Sequence, residues 1–322
     1  MEEKLFVDRP LVIDTEDLAA TPREWLAERA DVRSVGVDDP GFPVLLAQAD
    51  ALVIRTYTQI DAALLDAAPN LKVIGRAGVG LDNLDLPACA ARDVTVCYTP
   101  EANAGTVTEL VFGLLLDVLR PRPKLTQAID ADTWVRRRSE LMGTRELGGL
   151  AVGVWGFGRV GRRVARVGRA FGMRVRYHDL LDIPADRREG AEPADRDALL
   201  AQSDVVTLHV DGRDSNRGLV GVAELAALRK DAILVNAARG FIVDPAALAA
   251  WLRTHPDAHA ICDVHDPEPL PVKHPLLGVP NALLVPHLGA ATRPAKDRMG
   301  WVVEDVWRVL EGEAPRWPAP AH

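Results

Sequence analysis

The sequence predicts an α/β fold made of doubly wound parallel sheets. Short apolar runs bounded by Gly, Pro, Asp or Asn alternate with amphipathic helical patterns along the chain, the signature of strand–helix–strand units. A glycine-rich turn, Gly156-Phe157-Gly158-Arg159-Val160-Gly161, stands between one such run and a helical pattern. Polar clusters close several later runs, where an open parallel sheet presents its carboxyl ends. With 322 residues the chain can build two domains, each with its own core.

Taken in order, apolar runs at 11–14, 32–37, 51–55, 71–75 and 94–97 are expected strands, with helices at 18–29 and 60–67 between them. Residues 104–119 follow as a helix. Val107, Leu110, Val111, Leu114, Leu115 and Val118 recur at helical spacing, and Pro121 and Pro123 end the pattern. So broad an apolar stripe predicts a buried helix that bridges two domains. A second α/β unit begins at Leu150, with strands expected at 150–155, 174–178, 204–210, 232–236, 258–264 and 282–285. A last helix over 297–310 puts Trp301, Val302, Val306 and Val309 on one side and is expected to return to the first domain. The Pro-rich tail, 315–322, is expected to fray.

Composition narrows the function. A hydrophobic share of 48% and a charged share of 26% fit a soluble globular protein. The net charge of −8 speaks against a nucleic-acid partner, and the run Arg136-Arg137-Arg138 reads as solvated surface. Met1-Glu2-Glu3-Lys4-Leu5 lacks the apolar segment of a secretory signal. The most apolar stretch, 107–119, contains Glu109 and Asp117 and is too short to span a bilayer, so no membrane partner is expected. Cys89, Cys97 and Cys262 show no metal-ligand or redox spacing, as in a reduced, cytoplasmic protein, and no metal site is expected.

Each glycine of the 156–161 turn has a physical task. Gly156 permits the tight turn, Gly158 lets backbone approach a pyrophosphate, and Gly161 lets the helix pack closely on the strand. The helix start offers free N–H groups and a positive dipole end to phosphates. Val160, Val164, Val167 and Phe171 are expected on one face of that helix, with Arg159, Arg162, Arg163, Arg166 and Arg169 elsewhere. The next strand ends at Asp179, whose carboxylate suits ribose hydroxyls and repels a 2′-phosphate. The expected cofactor is therefore NAD rather than NADP.

Arg239, within Asn236-Ala237-Ala238-Arg239-Gly240, Glu268, within the segment Asp263 to Pro269, and His287, after Pro286, each follow an expected strand. Beside a dinucleotide they suit carbonyl–alcohol chemistry. An imidazole titrating near neutrality can take a hydroxyl proton as hydride leaves the carbon and return it in reverse; His287 is the candidate. Glu268 on its other ring nitrogen would fix the tautomer and raise its pKa. Arg239 would clamp a substrate carboxylate and polarise the carbonyl. Asp263 is expected near the nicotinamide carboxamide. His209, His255, His259, His265, His274 and His322 are read as structural.

The segments Gly75 to Asn83, Pro100 to Asn103, the glycine turn, Val235 to Gly240, Asp263 to Pro269 and Pro286 to Thr292 together resemble the D-isomer-specific 2-hydroxyacid dehydrogenase family, nearest the branch acting on 3-phosphoglycerate. The resemblance implies two Rossmann-like domains. A cofactor domain, 103–289, would be inserted into a flavodoxin-like substrate domain formed by 1–102 and 290–322, with a cleft that closes on a small-molecule substrate and a homodimer formed through the cofactor domains. It adds Arg159, Val160, Ala237, Ala238 and Gly289 to the cofactor-lining residues, and assigns Arg55, Arg76, Val79, Gly80 and Asn103 to the substrate. Arg55 and Arg76 match positions of cations near a substrate phosphate, and Arg136 to Arg138 would add charge from a neighbouring subunit. This favours 3-phosphoglycerate over glyoxylate or hydroxypyruvate. No regulatory domain is expected beyond the residues that follow His287.

One departure is plain. Where the family continues Thr207-Leu208-His209 with a Pro-rich loop, this chain has Val210-Asp211-Gly212-Arg213-Asp214-Ser215-Asn216, which leaves the NAD contacts there open. An NAD-sensing corepressor-like binding protein, which keeps the same three residues, is the alternative from another class. Phosphite and formate dehydrogenases rank lower, the former because Val79 stands where they resemble a Lys.

Overall fold

The computed structural model describes residues 9–320. The acidic N-terminus and His322, read above from sequence, lie outside the described residues. In chain order the first elements are β1 (Leu11–Asp14), α1 (Ala20–Ala27), β2 (Asp31–Ser34), α2 (Phe42–Leu46), β3 (Ala51–Ile54), α3 (Ala62–Asp66), β4 (Val73–Arg76), α4 (Leu86–Ala90) and β5 (Thr95–Tyr98). Then come α5 (Ala104–Leu119), α6 (Ala131–Glu140), β6 (Ala151–Trp155), α7 (Arg159–Ala170), β7 (Arg174–His178), β8 (Glu192–Pro193), α8 (Arg196–Gln202) and β9 (Val205–Leu208). The chain continues through α9 (Val222–Ala227), β10 (Ile233–Asn236), α10 (Pro245–Thr254), β11 (His259–Cys262), β12 (Ala282–Leu284), α11 (Arg293–Gly300) and α12 (Val303–Leu310). It divides into two compact units, one running to Asn103 and resuming at Ala290, the other comprising residues 104–289.

The first unit holds a five-stranded sheet in the order β2-β1-β3-β4-β5, every pair parallel. This is the flavodoxin-like order, with its switch point between β1 and β3. Alternate residues of the strands feed two cores. Val12, Val53 and Val73 meet Met299, Val302 and Val306, while Ile13, Leu52 and Ile74 meet Leu46, Leu65 and Cys89. Gly75 is needed for this packing, since a Cβ there would lie 2.4 Å from Val306.

The second unit holds seven parallel strands in the order β12-β11-β10-β9-β6-β7-β8. Order reverses between β6 and β9, as in dinucleotide-binding sheets. Val107, Val111, Leu115 and Val164 of α5 and α7 cover one face; Leu199, Leu225, Leu248 and Trp251 of α8, α9 and α10 cover the other.

Several elements differ from expectation. The strand expected at 32–37 ends at Ser34, because β2 is a half-exposed edge with no apolar face to extend. The short helices α2 and α4 carry Pro43 and Pro87 in their first turn, where a proline fits a helix without breaking it. Helix α6 carries no buried residue and starts from an Asp130 cap, so no apolar period announced it; Arg136, Arg137 and Arg138 lie exposed along it. On α7 the buried face is Gly161, Val164, Ala165 and Gly168, small residues that let the helix lie close to the sheet, while Phe171 is exposed and stacks on Phe112. Helix α5 matches its expected span and falls wholly within the second unit. The last helix is two helices, parted at Trp301 and Val302, with Gly300 packed so tightly that a Cβ would lie 2.6 Å from Pro22. Residues 315–320 do not fray. Tyr98 N–H donates to Trp317 O (3.1 Å), Ala319 N–H to Val96 O (2.8 Å), and the buried Asp305 carboxylate accepts the Arg316 and Trp317 N–H groups.

The three cysteines are free and buried, and burial pushes the thiols of Cys89 and Cys262 up to about 11 and about 12. Among the described residues no helix is long and apolar enough to cross a membrane.

Candidate active site

The glycine turn joins β6 to α7. Gly156 has φ +93°, and a Cβ there would lie 2.5 Å from the His209 carbonyl carbon, so only glycine lets the turn pass the end of β9. A Cβ on Gly161 would stand 2.1 Å from Gly156 O. At Gly158, the residue capping α7, a Cβ would meet no atom within 4 Å. The space there lies at a helix N-terminus, beside Arg159 and Val160, and a pyrophosphate fits it. Asp179, directly after β7, accepts Phe157 N–H (2.5 Å) on one carboxylate oxygen and Leu181 N–H (2.9 Å) on the other. Each oxygen keeps a lone pair for a ribose hydroxyl. In the 210–216 loop Arg213 donates to Asp211 (2.7 Å) and is attracted to Asp179 as well.

The second unit also brings Arg239, Glu268 and His287 together. His287 Nδ1 stands 2.8 Å from Glu268 Oε2, and Glu268 Oε1 accepts the His265 N–H at 2.7 Å. The two side chains are 43% and 34% exposed, open enough to be reached by a ligand. Asn236 braces the turn that carries Arg239: its Nδ2 donates to Arg239 O (2.9 Å) and its Oδ1 accepts Ala238 N–H (3.1 Å). His287 sits at φ +52°, a left-handed conformation uncommon outside glycine. It is held there from Asp263, whose backbone O accepts His287 N–H (2.8 Å) and whose carboxylate accepts the N–H groups of Leu288 (2.6 Å) and Gly289 (2.9 Å).

The hydrogen bond that His287 donates to Glu268 raises the His287 pKa above its ordinary value; burial opposes, Asp263 assists, and the nearby Arg239 guanidinium opposes. Burial pushes the Glu268 carboxyl up, but the His287 hydrogen bond and the His265 N–H hold it below the usual range. The buried Asp263 is raised by burial against the lowering effect of its two amide donors. The pair thus favours imidazolium beside carboxylate, a group able to store and release one proton.

Ala237 and Ala238 lie on the Arg239 turn, and Gly289 on the loop after His287. The residues expected at the substrate belong to the first unit, at the carboxyl ends of its strands. Arg55 follows β3, Arg76 closes β4, Val79 and Gly80 form the next turn, and Asn103 is the unit's last residue before α5. Arg76 folds back on that turn, donating to Ala77 O at 3.3 Å. His209 hydrogen-bonds Thr207 (2.8 Å) and is held neutral, burial pushing its pKa down to about 3. His265 ties the loop down: its ring Nε2 bonds Val285 O (2.9 Å), holding the Glu268 loop to the segment between β12 and His287. Sequence reasoning read His265 only as structural and gave the brace Asn236 no role, although both lie inside the polar clusters that flagged the site.

A Rossmann-order sheet, a glycine turn with room for a pyrophosphate, and an imidazole–carboxylate pair beside a guanidinium define a class: dinucleotide-binding α/β proteins equipped for proton transfer. Residues 112–289 match the profile of the D-isomer specific 2-hydroxyacid dehydrogenase, NAD binding domain. The chain is 39% identical to a D-3-phosphoglycerate dehydrogenase of Mycobacterium leprae over 95% of its own length and 58% of that protein's, and so spans little more than half of that relative. It is 34% identical to a glyoxylate reductase of Aeropyrum pernix over 95% of each chain. A crystal structure of a protein from Thermus thermophilus superposes with a TM-score of 0.84 at 35% identity, covering 96% of this chain and all of that one (100%). The protein belongs to the D-isomer specific 2-hydroxyacid dehydrogenase family, and its second unit carries that family's NAD-binding domain.

Proposed function

We propose that the protein is an NAD-dependent dehydrogenase interconverting a D-2-hydroxy acid and its 2-oxo acid. The 2.8 Å contact between His287 and Glu268 carries this reading. With Nδ1 given to Glu268, Nε2 of His287 is left for the substrate hydroxyl. In oxidation it takes the hydroxyl proton, and Glu268 stabilises the resulting imidazolium; in reduction it returns the proton to the nascent alkoxide. Bound NAD supplies the hydride acceptor. Arg239 would hold the substrate carboxylate by charge-assisted hydrogen bonds. Gly156, Gly158, Arg159, Val160, Gly161, Asp179, Ala237, Ala238, Asp263 and Gly289 would line the dinucleotide, and Arg55, Arg76, Val79, Gly80 and Asn103 the substrate.

Two substrate classes have support. Arg55, Arg76 and the relatives named D-3-phosphoglycerate dehydrogenase support 3-phosphoglycerate. Relatives matched along nearly their whole length, named glyoxylate reductase and hydroxypyruvate reductase, support a small unphosphorylated acid, and so does the arrangement of Glu16 described below. A panel of 2-oxo acids with and without phosphate, followed by loss of NADH absorbance, tests the proposal. Dinucleotide binding without turnover of any of them would instead support a nucleotide sensor.

A homodimer is proposed through α6, which exposes Trp134 and Val135 and is followed by the exposed Leu141 and Met142. Light scattering that returned a monomer at micromolar concentration would rule it out.

A further inference from the structure

The sheet of the first unit reverses strand order between β1 and β3, where open parallel sheets of this order hold the anionic part of a ligand. Arg55 to Thr58, the residues after β3, turn consecutive backbone N–H groups toward one point, a concavity of the kind that binds phosphate. That point is filled by the chain itself. Glu16, just past β1, places Oε1 3.1, 3.0 and 2.8 Å from the N–H groups of Arg55, Tyr57 and Thr58. Its Oε2 lies 2.7 and 3.0 Å from those of Thr56 and Tyr57. Burial works to raise this carboxyl, but the N–H groups of Thr58, Tyr57 and Thr56 outweigh it and keep it ionised. The surrounding charges do not invite a second anion. Asp14 is buried at the end of β1, while Asp17 pairs with Lys296 (2.5 Å) and attracts Arg55 and Arg23. Asp17 thus offsets part of the charge of Arg23 and Arg55, while the buried Arg55 Nε has no hydrogen-bond partner.

We infer that Glu16 is a specificity-determining residue, whose carboxylate takes the anion position of this switch point and turns the enzyme toward 2-oxo acids that carry no phosphate. The inference rests on the function proposed above and chooses between its two substrate classes. A phosphate dianion brought to these amides meets a carboxylate in its place; without Glu16, four N–H donors are free to hold it.

The first test compares kcat/KM for hydroxypyruvate and 3-phosphohydroxypyruvate in the wild type and in Glu16→Gln. The wild type is expected to favour the unphosphorylated acid by at least about tenfold, and the variant to move that ratio at least about tenfold toward the phosphorylated one. A residue that merely supports the loop would lower both values alike; an unmoved ratio, or a wild type preferring the phosphorylated acid, overturns the inference. The second test needs no turnover. Thermal unfolding with inorganic phosphate up to about 50 mM is expected to raise Tm by about 3 °C or more in Glu16→Ala and not in the wild type. Equal responses overturn the inference, and Glu16→Gln replaces the alanine variant if that does not fold. A wild type inert toward every 2-oxo acid would refute the proposed activity, while the phosphate melts would still judge the place of Glu16.

Discussion

The backbone of Gly240 passes so close to that of His265 that a Cβ on residue 240 would lie 1.9 Å from the His265 carbonyl carbon. This contact sets the turn carrying Arg239 against the loop carrying Glu268, so guanidinium and carboxylate share one site. Gly240→Ala must push the two apart. The expected cost is about 1–3 kcal/mol of stability and a loss of about 10²-fold in kcat/KM. Denaturant melts and steady-state kinetics measure both, and an alanine variant with wild-type kinetics would show that the spacing is unimportant.

Proton transfer should depend on one imidazole. His287→Ala is expected to lower kcat by about 10²–10⁴-fold while NADH still binds, as read by fluorescence titration. Unimpaired turnover would remove His287 from its role.

The pH dependence of reduction follows from the raised His287 pKa. Reduction needs the imidazolium, so kcat/KM should fall as pH rises through that pKa, above the ordinary value of 6.5. For stability the raised His287 pKa has the same sign: its contribution is fully present below the unfolded-state pKa and is lost as pH climbs through the folded one. The lowered Glu268 pKa, by contrast, makes the pair lose stability again as pH falls through the carboxylate range. Glu268→Gln removes the main cause of the shift, so the fall should begin at lower pH. A pH profile unmoved by the substitution would contradict the assignment of Glu268.

Asp179 should govern the choice of dinucleotide. Its carboxylate stands at the end of β7 with Arg213 close by, so Asp179→Ser removes the group repelling a 2′-phosphate and leaves a cation to attract it. The NAD/NADP preference is expected to narrow by about tenfold or more. Paired kcat/KM values for the two coenzymes check it, and an unchanged ratio would move the discrimination elsewhere.

Asp263 holds the loop of His287 through two amides, and Asp263→Asn can accept only one of them well. It should lower kcat by about 10-fold or more and destabilise the fold by about 1–3 kcal/mol. Urea melts and kinetics decide; a variant that lost stability alone would confine Asp263 to folding.

The parallel strands other than β8, the long helix α5 and the polar clusters of the candidate site were legible in the sequence because each has a local cause. Parallel strands buried on both faces must be apolar runs, as at Ala51–Ile54 and Ile233–Asn236. Glycines that pass backbone at close range cannot be replaced, and polar residues at strand ends stand out against them. What tertiary structure alone decided joins residues far apart in sequence. Glu16 reaches amides 39 to 42 residues away, the tail lies along β5, and His265 binds the segment between β12 and His287. No periodicity announces such contacts, since a carboxylate reads the same in solvent as in a ring of N–H groups. Burial, which withdraws water as the competing partner, turns them into fixed geometry.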